Sequence, residues 1–500
     1  MRSASRRRLV TTLLLAPFLS GCFASDGGSS ADSPHGSSAG DRLRVALAFP
    51  PTQNLSPYGA DATLLSRLGV TEGLTTLDAN GAAAPALAES WRRTGERSWE
   101  FTLREATFQD GTDVTASAVA AALTRATRAT PEPAALTGVG LTAAARGDRR
   151  VRVVTAAPDS VLPLRLSSPS LAVFSAGAYR ERGTVDPAGT ATGPFELKGV
   201  TGTTAATLDR FDDYWGGRAH ASGVDARFIP DGTARTNALR TGVVDIAEAL
   251  PVSQVAALDE GNRRETATTR TTSLSLNTRS GPFRDPGTRA AARQAIDTSV
   301  LADDVYEGYA DPGAGLFGPA LTWAADQRVT PTGRTAAARA AGRLTLATYD
   351  NRPELPEVAQ VLKQQLEKAG FRVRLQVREY SRLESDVLAG RFDAFVSARN
   401  TMLDTGDPVS ILAADYTCDG DYNLALLCDK KVDRAVARAE DIADTTKRRS
   451  AVMAAEAAVL GTDAVVPLVH QRIVTGVADP VRGVLLDPYE RNLVGTGTRR

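Results

Sequence analysis

The chain has 500 residues, which is long enough for two or three compact units. Its 58 basic and 58 acidic residues balance, and 42% of all residues are hydrophobic. This is the composition of an ordinary folded protein, and the lack of a basic excess argues against nucleic acid as a partner.

The first segment, 1–21, is predicted to be a lipoprotein signal peptide. A basic start, MRSASRRR, precedes the apolar run LVTTLLLAPFL, which is too short to span a bilayer. The following LSGC resembles the lipobox of bacterial lipoproteins, so Cys22 is the expected lipidation site. SRRRLV also resembles a twin-arginine signal weakly, so the sequence leaves the export route open.

A Gly/Ser-rich segment, 22–40, follows and is predicted to be a flexible tether spanning roughly 20–25 Å. No later stretch approaches the ~18 continuous apolar residues of a membrane helix. We therefore expect a folded body held at the extracytoplasmic face of the cell membrane by a lipid anchor alone.

The first part of the body has the pattern of an α/β unit. RLRVALAF is a predicted strand, and SWEFTLREATFQDGT is a predicted hairpin that turns at Asp110-Gly111. A helix that Thr115 can cap follows. Further along, strands flank a helix over 233–241, which Gly242 ends.

A second unit is predicted over 343–397, where strand, helix, strand, helix and strand alternate. The apolar residues of its first helix recur on one face, and Gly370 has the position of a C-cap glycine. This order predicts a parallel sheet with right-handed crossovers. The extended stretch 273–283 is expected to pass between the two units.

Two acids, Asp404 and Asp407, follow the last strand of this second unit in the loop LDTGDP. Asp407 precedes Pro408 and is expected to shape the turn by local hydrogen bonds. Asp404 lies beyond the carboxyl end of the strand, where ligands bind in open parallel sheets. Its carboxylate is therefore the candidate group for an ammonium or guanidinium ligand.

Histidine is scarce, with only His35, His220 and His470 in the whole chain. A His-rich metal site is therefore excluded, and a Ser-His-Asp triad would need His220 or His470. No phosphate-binding loop or metalloprotease motif occurs, so the sequence predicts no cofactor, metal or catalytic group.

The remaining cysteines, Cys418 and Cys428, form a natural pair if Cys22 carries lipid. Outside the cytoplasm such a pair is expected to form a disulfide, worth about 2–3 kcal/mol for a loop this short.

The order of several segments resembles the extracellular solute-binding proteins of ABC importers, in the peptide/nickel group called family 5. The segments are NLSPYGADA, then TEGLTTLDANGAAAPALAESW with WEFTLREATFQDGTDVTASAV, then ATGPFELKGV with LDRFDDYWGG, and finally LSLNTRSGPFRDPGTRAAARQAIDTSVLADDVYEGYADP. Together they extend over some 450 residues in the family's order.

This resemblance implies an α/β fold of two lobes around a central ligand cleft, with mostly parallel sheets. The implied lobe I is 41–278 completed by 471–500, with an extra subdomain at about 62–190, and lobe II is 279–470. A monomer would capture a small solute by lobe closure and deliver it to ABC permease and ATPase subunits. It would catalyse nothing.

The resemblance also implies site residues. In peptide-binding members an Asp at the position of Asp404 holds the peptide α-amino group, and an aromatic residue often precedes it. Here that preceding segment carries Arg399, Asn400 and Met402, and Arg399 is a candidate for binding a ligand carboxylate. The other predicted ligand contacts are Gln53 and Tyr58 from the opposite lobe and Asn277 at the crossing strand.

The expected ligand is a short peptide or another small amine-bearing solute. Nickel chelates, opines and oligosaccharides stay open, since pockets on one fold serve many ligands. A ligand sensor on the same fold and a surface hydrolase using His220 or His470 are the other functions considered.

Overall fold

The computed structural model describes residues 41–59, 61–180 and 184–500. The predicted signal peptide, the lipidation site Cys22 and the tether lie outside these residues. No helix of the described part is long and apolar enough to cross a membrane.

The strands of the described residues are β1 (Arg42–Leu47), β2 (Thr75–Leu77), β3 (Ala83–Pro85), β4 (Ala88–Gly95), β5 (Ser98–Leu103), β6 (Thr142–Ala145), β7 (Arg150–Val154), β8 (Phe195–Thr201), β9 (Ala205–Arg210), β10 (Gly223–Phe228), β11 (Ile246–Leu250), β12 (Arg263–Leu276), β13 (Ala310–Pro312), β14 (Arg343–Tyr349), β15 (Arg372–Arg378), β16 (Ala394–Asn400) and β17 (Val465–Val477). The helices are α1 (Ala62–Arg67), α2 (Ala116–Ala126), α3 (Leu162–Arg165), α4 (Gly232–Arg240), α5 (Val252–Val255), α6 (Pro286–Ala295), α7 (Thr298–Val300), α8 (Thr322–Asp326), α9 (Glu354–Ala369), α10 (Glu384–Leu388), α11 (Pro408–Tyr416), α12 (Lys430–Asp441) and α13 (Thr445–Gly461).

One large sheet has the strand order β15-β14-β16-β12-β17-β11-β1-β10-β9-β8, with β13 added beside β17. Two long antiparallel strands, β12 and β17, stand at its centre. Residues 270–276 of β12 pair with β16, and residues 474–477 of β17 pair with β11. The two central strands therefore connect one group of strands, β14–β16, with the other, β8–β11 and β1.

The large sheet is mixed, whereas mostly parallel sheets were expected. Parallel pairing joins β1 to β10 and β11, and joins β14 to β15 and β16. The other pairings are antiparallel, because the crossing strands run in opposite directions and β8, β9 and β10 follow one another as hairpins. The prediction of parallel strands is right for the β14–β16 group and wrong for the sheet as a whole.

The predicted second unit is observed as β14, α9, β15, α10 and β16. Val358, Leu362 and Leu366 of α9 are fully buried against this group of strands. Gly370 ends α9 with a φ of 123°, a conformation that a residue with a Cβ adopts at a cost. The periodicity and the terminal glycine thus predicted this helix correctly.

The predicted hairpin at Asp110-Gly111 is only partly present. A tight turn occurs there, with Gly111 at a φ of 81°, but it closes a single bridge between Thr107 and Asp113. Strand β5 pairs with β4 and β7 instead. Both edges of β5 are thereby occupied, so the residues after the turn cannot join it and lead directly into α2, which Thr115 caps as expected.

Separate apolar cores lie on the two groups of strands and in two smaller layers. One smaller core packs α2 against the antiparallel sheet β4-β5-β7-β6, between Leu74 and Val173. The other packs α11, α12 and α13 together. The first of these cores falls within the range predicted for the inserted subdomain, whereas the lobe boundaries stay a prediction.

Candidate functional site: a cleft that meets at Asp404

Three adjoining cavities open around the loop that follows β16. Their volumes are about 900, 690 and 370 Å³. Asp404 lines all three of them. The two smaller cavities receive side chains from both groups of strands, including Phe49 after β1 and Arg352 after β14. The loop of Asp404 therefore lies in a cleft between the two groups.

The start of this loop is held rigidly by its backbone. The amide of Thr401 donates to the carbonyl of Thr269 on β12, at 3.0 Å. The buried guanidinium of Arg491 donates to the carbonyls of Met402, at 2.7 Å, and Leu403, at 2.9 Å. These bonds fix the backbone immediately before Asp404.

The end of the loop is held by Asp407. Its carboxylate accepts from the amide of Val409 and so caps α11, as its predicted turn-forming role requires. The same carboxylate pairs with Arg448 of α13, with Nη2 and Oδ2 2.6 Å apart, and both side chains are buried. The two acids of the loop are thus distinct, because Asp407 is fully engaged in structure.

Asp404 is half-buried, and its carboxylate makes no hydrogen bond or ion pair within the described part of the chain. Its charge is felt by its neighbours. Burial raises the pKa of Asp415 to about 6, and the charge of Asp404 acts in the same direction, while Arg399 opposes both. The charge of Asp404 also raises the pKa of Arg399, yet neither Arg399 nor Arg491 forms an ion pair or hydrogen bond with its carboxylate. A half-buried carboxylate without such a bonded partner is suited to a cationic ligand group.

Arg352 is the cationic counterpart of Asp404. It is half-buried in the turn between β14 and α9, and it lines the same two smaller cavities. Its guanidinium lies 5.7 Å from the ring centroid of Phe49 and forms no ion pair or hydrogen bond to any residue that the structure describes. Burial lowers its pKa, and the nearby charge of Arg270 lowers it further. This guanidinium is therefore available to an anion.

The floor of the cleft is a buried network of charges. Arg270 of β12 donates two hydrogen bonds to Glu490, at 3.0 and 2.9 Å. Nη2 of Arg67 on α1 lies 3.5 Å from Oε2 of Glu490, and its Nη1 pairs with Glu248 of β11 at 2.5 Å. These charges satisfy one another, so they support the cleft and leave Asp404 and Arg352 as its unpaired ends.

Arg399, the predicted carboxylate ligand, faces the cleft but already has a partner. Its guanidinium donates two hydrogen bonds to Asp415, at 3.1 and 3.3 Å, and lies 4.5 Å over the ring of Tyr422. A ligand carboxylate would have to compete with this internal pair. Tyr422 also supplies an aromatic surface beside Asp404, which the segment before Asp404 lacks.

Met402 is directed into the protein, whereas Asn400 is buried and lines the cavity of about 370 Å³. The amide of Asn400 bonds to Thr269 and Glu490 and is 5% exposed. Met402 is 1% exposed in the core of α11–α13 and lines none of the three cavities. Asn400 therefore stays a predicted ligand contact that also braces the loop, whereas Met402 lies in the core and cannot reach a ligand in the cleft.

The ligand contacts predicted outside the Asp404 loop differ in whether they line the cleft. Asn277 is buried at the end of β12, where it bonds to the carbonyls of Gly390 and Phe392, outside the three cavities. Gln53 is exposed and also lies outside them. Tyr58 lines the cavity of about 690 Å³. Of these three, only Tyr58 reaches the cleft.

Arg352 was not among the predicted site residues, although its position in the sequence indicates it. The rule that selected Asp404 was its position after the carboxyl end of a parallel strand. Arg352 follows β14, which pairs in parallel with β16, so the two strands end at the same edge of the sheet. Applying the rule to each parallel strand would have selected both residues.

Neither described histidine takes part in the site. His220 and His470 line none of the three cavities. His470 is buried on β17, where its Nδ1 lies 3.0 Å from the hydroxyl of Thr271, and burial lowers its pKa to about 4. No group of three or more potential metal ligands occurs among the residues that the structure describes.

Comparison with known proteins identifies the family to which this fold belongs. The family model of "Bacterial extracellular solute-binding proteins, family 5 Middle" matches residues 82–423, more than half of the chain. The glutathione-binding protein GsiB of Shigella dysenteriae is 26% identical over 470 residues, which cover 87% of this chain and 90% of GsiB.

Solved structures agree in fold. NikA of Staphylococcus aureus, crystallised with Ni(L-His)2, matches with a TM-score of 0.76 at 20% identity, covering 92% of this chain and all of NikA. The periplasmic binding protein DppA of Helicobacter pylori, in complex with the peptide STSA, matches with a TM-score of 0.74 at 19% identity, covering 89% and 96%. The mixed α/β fold is that of the two-lobed periplasmic binding proteins. The chain therefore belongs to family 5 of the bacterial extracellular solute-binding proteins, which serve ABC importers outside the cytoplasm.

Proposed function

We propose that this protein binds a short peptide, or a similar small solute with an ammonium group and a carboxylate, in the cleft at Asp404. One observation carries the proposal. Asp404 and Arg352 have opposite charges, lack partners within the described residues, and line the same two cavities. A zwitterion entering these cavities would neutralise both groups at once.

The loop that carries Asp404 is preorganised for ligand binding. The loop of Asp404 is fixed by Arg491 and Asp407, so the ligand does not have to order it. Charge-assisted hydrogen bonds to a desolvated carboxylate and guanidinium are stronger than neutral ones. The aromatic residues Phe49 and Tyr349 line the cavity of about 370 Å³ and offer apolar contacts between the two charged ends.

The relatives give this proposal support of a general kind. DppA of Helicobacter pylori was crystallised with a peptide, and GsiB is named for glutathione binding. Asp404 also occupies the loop position at which peptide-binding relatives are expected to hold the α-amino group. The two opposite charges of the cleft, Asp404 and Arg352, are however observed in this chain and not inferred from its relatives.

A nickel complex with amino-acid ligands is the second candidate. NikA of Staphylococcus aureus, with a related fold, binds Ni(L-His)2. Histidine bound to a metal still presents carboxylate oxygens, and Arg352 provides a guanidinium for such a group. Asp404 would have no ammonium group to bind if both ligand amines coordinate the metal, so the two candidates differ in their dependence on Asp404.

We further propose the arrangement around this binding function. Residues 1–21 would be removed, Cys22 would carry lipid, and 22–40 would tether a monomer with lobes 41–278 plus 471–500 and 279–470. The lobes would close on the ligand, and the complex would be delivered to permease and ATPase subunits. No reaction is assigned to the protein.

The test uses mass spectrometry of whatever co-purifies with the natively folded protein, followed by calorimetry with Ala-Ala and its two blocked forms. N-acetyl-Ala-Ala lacks the ammonium group, and Ala-Ala-amide lacks the carboxylate. We expect Asp404→Asn and Arg352→Gln each to weaken Ala-Ala binding at least about thirtyfold, since each leaves a charged ligand end unpaired.

Controls make the assignment specific to each end. Asp404→Asn should discriminate little between Ala-Ala and its acetylated form, and Arg352→Gln little between Ala-Ala and its amide. The exposed residues Asp303 and Arg382 line none of the three cavities, so Asp303→Asn and Arg382→Gln should bind as the wild type does. Unchanged Ala-Ala affinity in Asp404→Asn would reject the ammonium site.

A further inference from the structure

The wall between two of the cavities is built by two side chains in contact. Besides Asp404, the cavities of about 370 and 900 Å³ share Arg399 and Tyr422. The guanidinium of Arg399 lies 4.5 Å over the centroid of the Tyr422 ring. This stacked pair therefore lies between the cavity of about 370 Å³, which Arg352 also lines, and the cavity of about 900 Å³ beside α11 and α12.

Both members of the wall are fixed by other contacts. Asp415 accepts two hydrogen bonds from Arg399. The hydroxyl of Tyr422 contacts that of Tyr380, which in turn donates to Glu384 at 2.7 Å. The ring of Tyr422 is thus held from the Arg399 side and from the Tyr380 side, and moving it would break contacts on both.

The loop that carries Tyr422 is itself closed. A disulfide joins Cys418 to Cys428 across it. Inside the loop, the side chain of Asn423 donates to the carbonyls of Thr417, at 2.9 Å, and Leu427, at 2.7 Å. A surface loop with this many internal bonds presents its tyrosine in one position.

We infer that Tyr422, stacked on Arg399, sets the size of the side chain that a ligand can carry next to its ammonium group. The inference rests on the proposed function, in which that group binds at Asp404. A ligand held there has its first side chain beside the wall. A small side chain fits against the ring, whereas a large one needs the space that the ring occupies.

The chemistry of the wall agrees with a selectivity role and not with a role as an anchor. The Arg399 charge is neutralised by Asp415, and the Tyr422 hydroxyl is bonded to Tyr380, so neither has to bind the ligand. Removing the ring should open the large cavity to the ligand without removing Asp404 or Arg352. Removal of the Tyr422 ring should therefore change the preference for side-chain size while the affinity for small ligands is kept.

The experiment compares the dissociation constants of Ala-Ala and Trp-Ala by calorimetry in the full chain. We expect the wild type to bind Ala-Ala at least about tenfold more tightly, a discrimination that pocket size can supply. Tyr422→Ala should reduce this ratio about tenfold while retaining Ala-Ala binding. Tyr422→Phe keeps the ring and is the matched control, so its ratio should equal that of the wild type.

A second variant guards against misfolding of Tyr422→Ala. Tyr422→Trp enlarges the wall, and it should increase the discrimination against Trp-Ala. A ratio that neither variant alters, or a wild type that binds both dipeptides equally, would overturn the inference. A wild type that binds neither dipeptide would reject the proposed function, and the selectivity role of Tyr422 with it.

Discussion

Glu490 illustrates how single residues support the cleft. Its side chain is buried, its φ is 60°, and it accepts hydrogen bonds from Arg270 and Asn400. Burial by itself would raise the pKa of this carboxyl. The charges of Arg270, Arg67 and Arg352 outweigh burial and lower the pKa to about 2. The carboxylate therefore stays ionised over the whole neutral and mildly acidic range.

This ionisation predicts an acid-dependent stability. A carboxyl with a lowered pKa contributes stability above its ordinary pKa of 4.5, and the contribution is lost as the pH falls towards about 2. We expect Glu490→Gln to lower the free energy of unfolding by about 3 kcal/mol at pH 7, because Arg270 is left buried without its partner.

The measurement is urea unfolding of wild type and Glu490→Gln between pH 7 and pH 2. The difference between the two should be constant above pH 4.5 and should narrow below it. Glu96→Gln, at an exposed position without a side-chain partner among the described residues, is the control and should follow the wild type. A gap that stays constant down to pH 2 would contradict the pKa assignment.

Among the elements, the segment between α11 and α12 connects packing with binding. Asp407 caps the start of α11, and the disulfide Cys418–Cys428 closes the stretch that leads into α12. Within this stretch the amide of Tyr422 donates to the carbonyl of Ala414 on α11, at 3.1 Å. The helices thereby hold one side of the cleft through a short closed loop.

We expect the double variant Cys418→Ser/Cys428→Ser to be less stable by about 2–3 kcal/mol, because a closed loop of this length restricts the unfolded chain. Thermal unfolding with and without a reducing agent measures the effect. Reduction should lower the melting temperature of the wild type to that of the variant and leave the variant unchanged. Equal stability of oxidised wild type and variant would refute this account.

For the whole molecule, the central strands β12 and β17 are the connection that matters. Strand β12 pairs with β16 of one group, β17 pairs with β11 of the other, and the two pair with each other. Asp404 and Arg352 follow strands of one group, while Phe49 and Tyr58 follow a strand of the other. A ligand in the cleft would therefore contact both groups and favour their approach.

This arrangement predicts closure on binding. We expect saturation with the ligand that Asp404 anchors to reduce the radius of gyration measured by small-angle X-ray scattering, as hinge closure does in two-lobed binding proteins. Asp404→Asn, which should not bind at the same ligand concentration, is the control and should give the scattering of the free protein. An unchanged radius in the saturated wild type would argue against closure.

Much of the fold was accessible from local patterns. The β14–α9–β15–α10–β16 unit, the Thr115 cap and the helix-ending Gly370 were predicted correctly, since periodicity and capping are properties of neighbouring residues. The partners of β5 were predicted wrongly. Several segments that are distant in sequence can compete to pair with one strand, and a turn sequence such as Asp110-Gly111 does not determine which of them pairs.

The site divides in the same way. Asp404 was predicted as a ligand group because the carboxyl end of a parallel strand is a local feature, and the same feature marks Arg352. The bond from Asn400 to Glu490 and the burial of Met402 in the α11–α13 core depend on residues that are distant in sequence. Nothing in a strand-end segment itself indicates such distant neighbours.

By itself, the sequence determined which segments become helices and strands and which acid follows the end of a parallel strand, because these depend on spacing along the chain. Only the tertiary structure decided which charges are free. Arg67 contacts Glu490, which is 423 residues away in sequence, and Arg399 pairs with Asp415, which is 16 residues away. Asp404 and Arg352 differ from these charges in forming no ion pair or side-chain hydrogen bond within the described residues. That is a property of three-dimensional neighbours, since a charge is satisfied by whatever lies within a few ångströms of it.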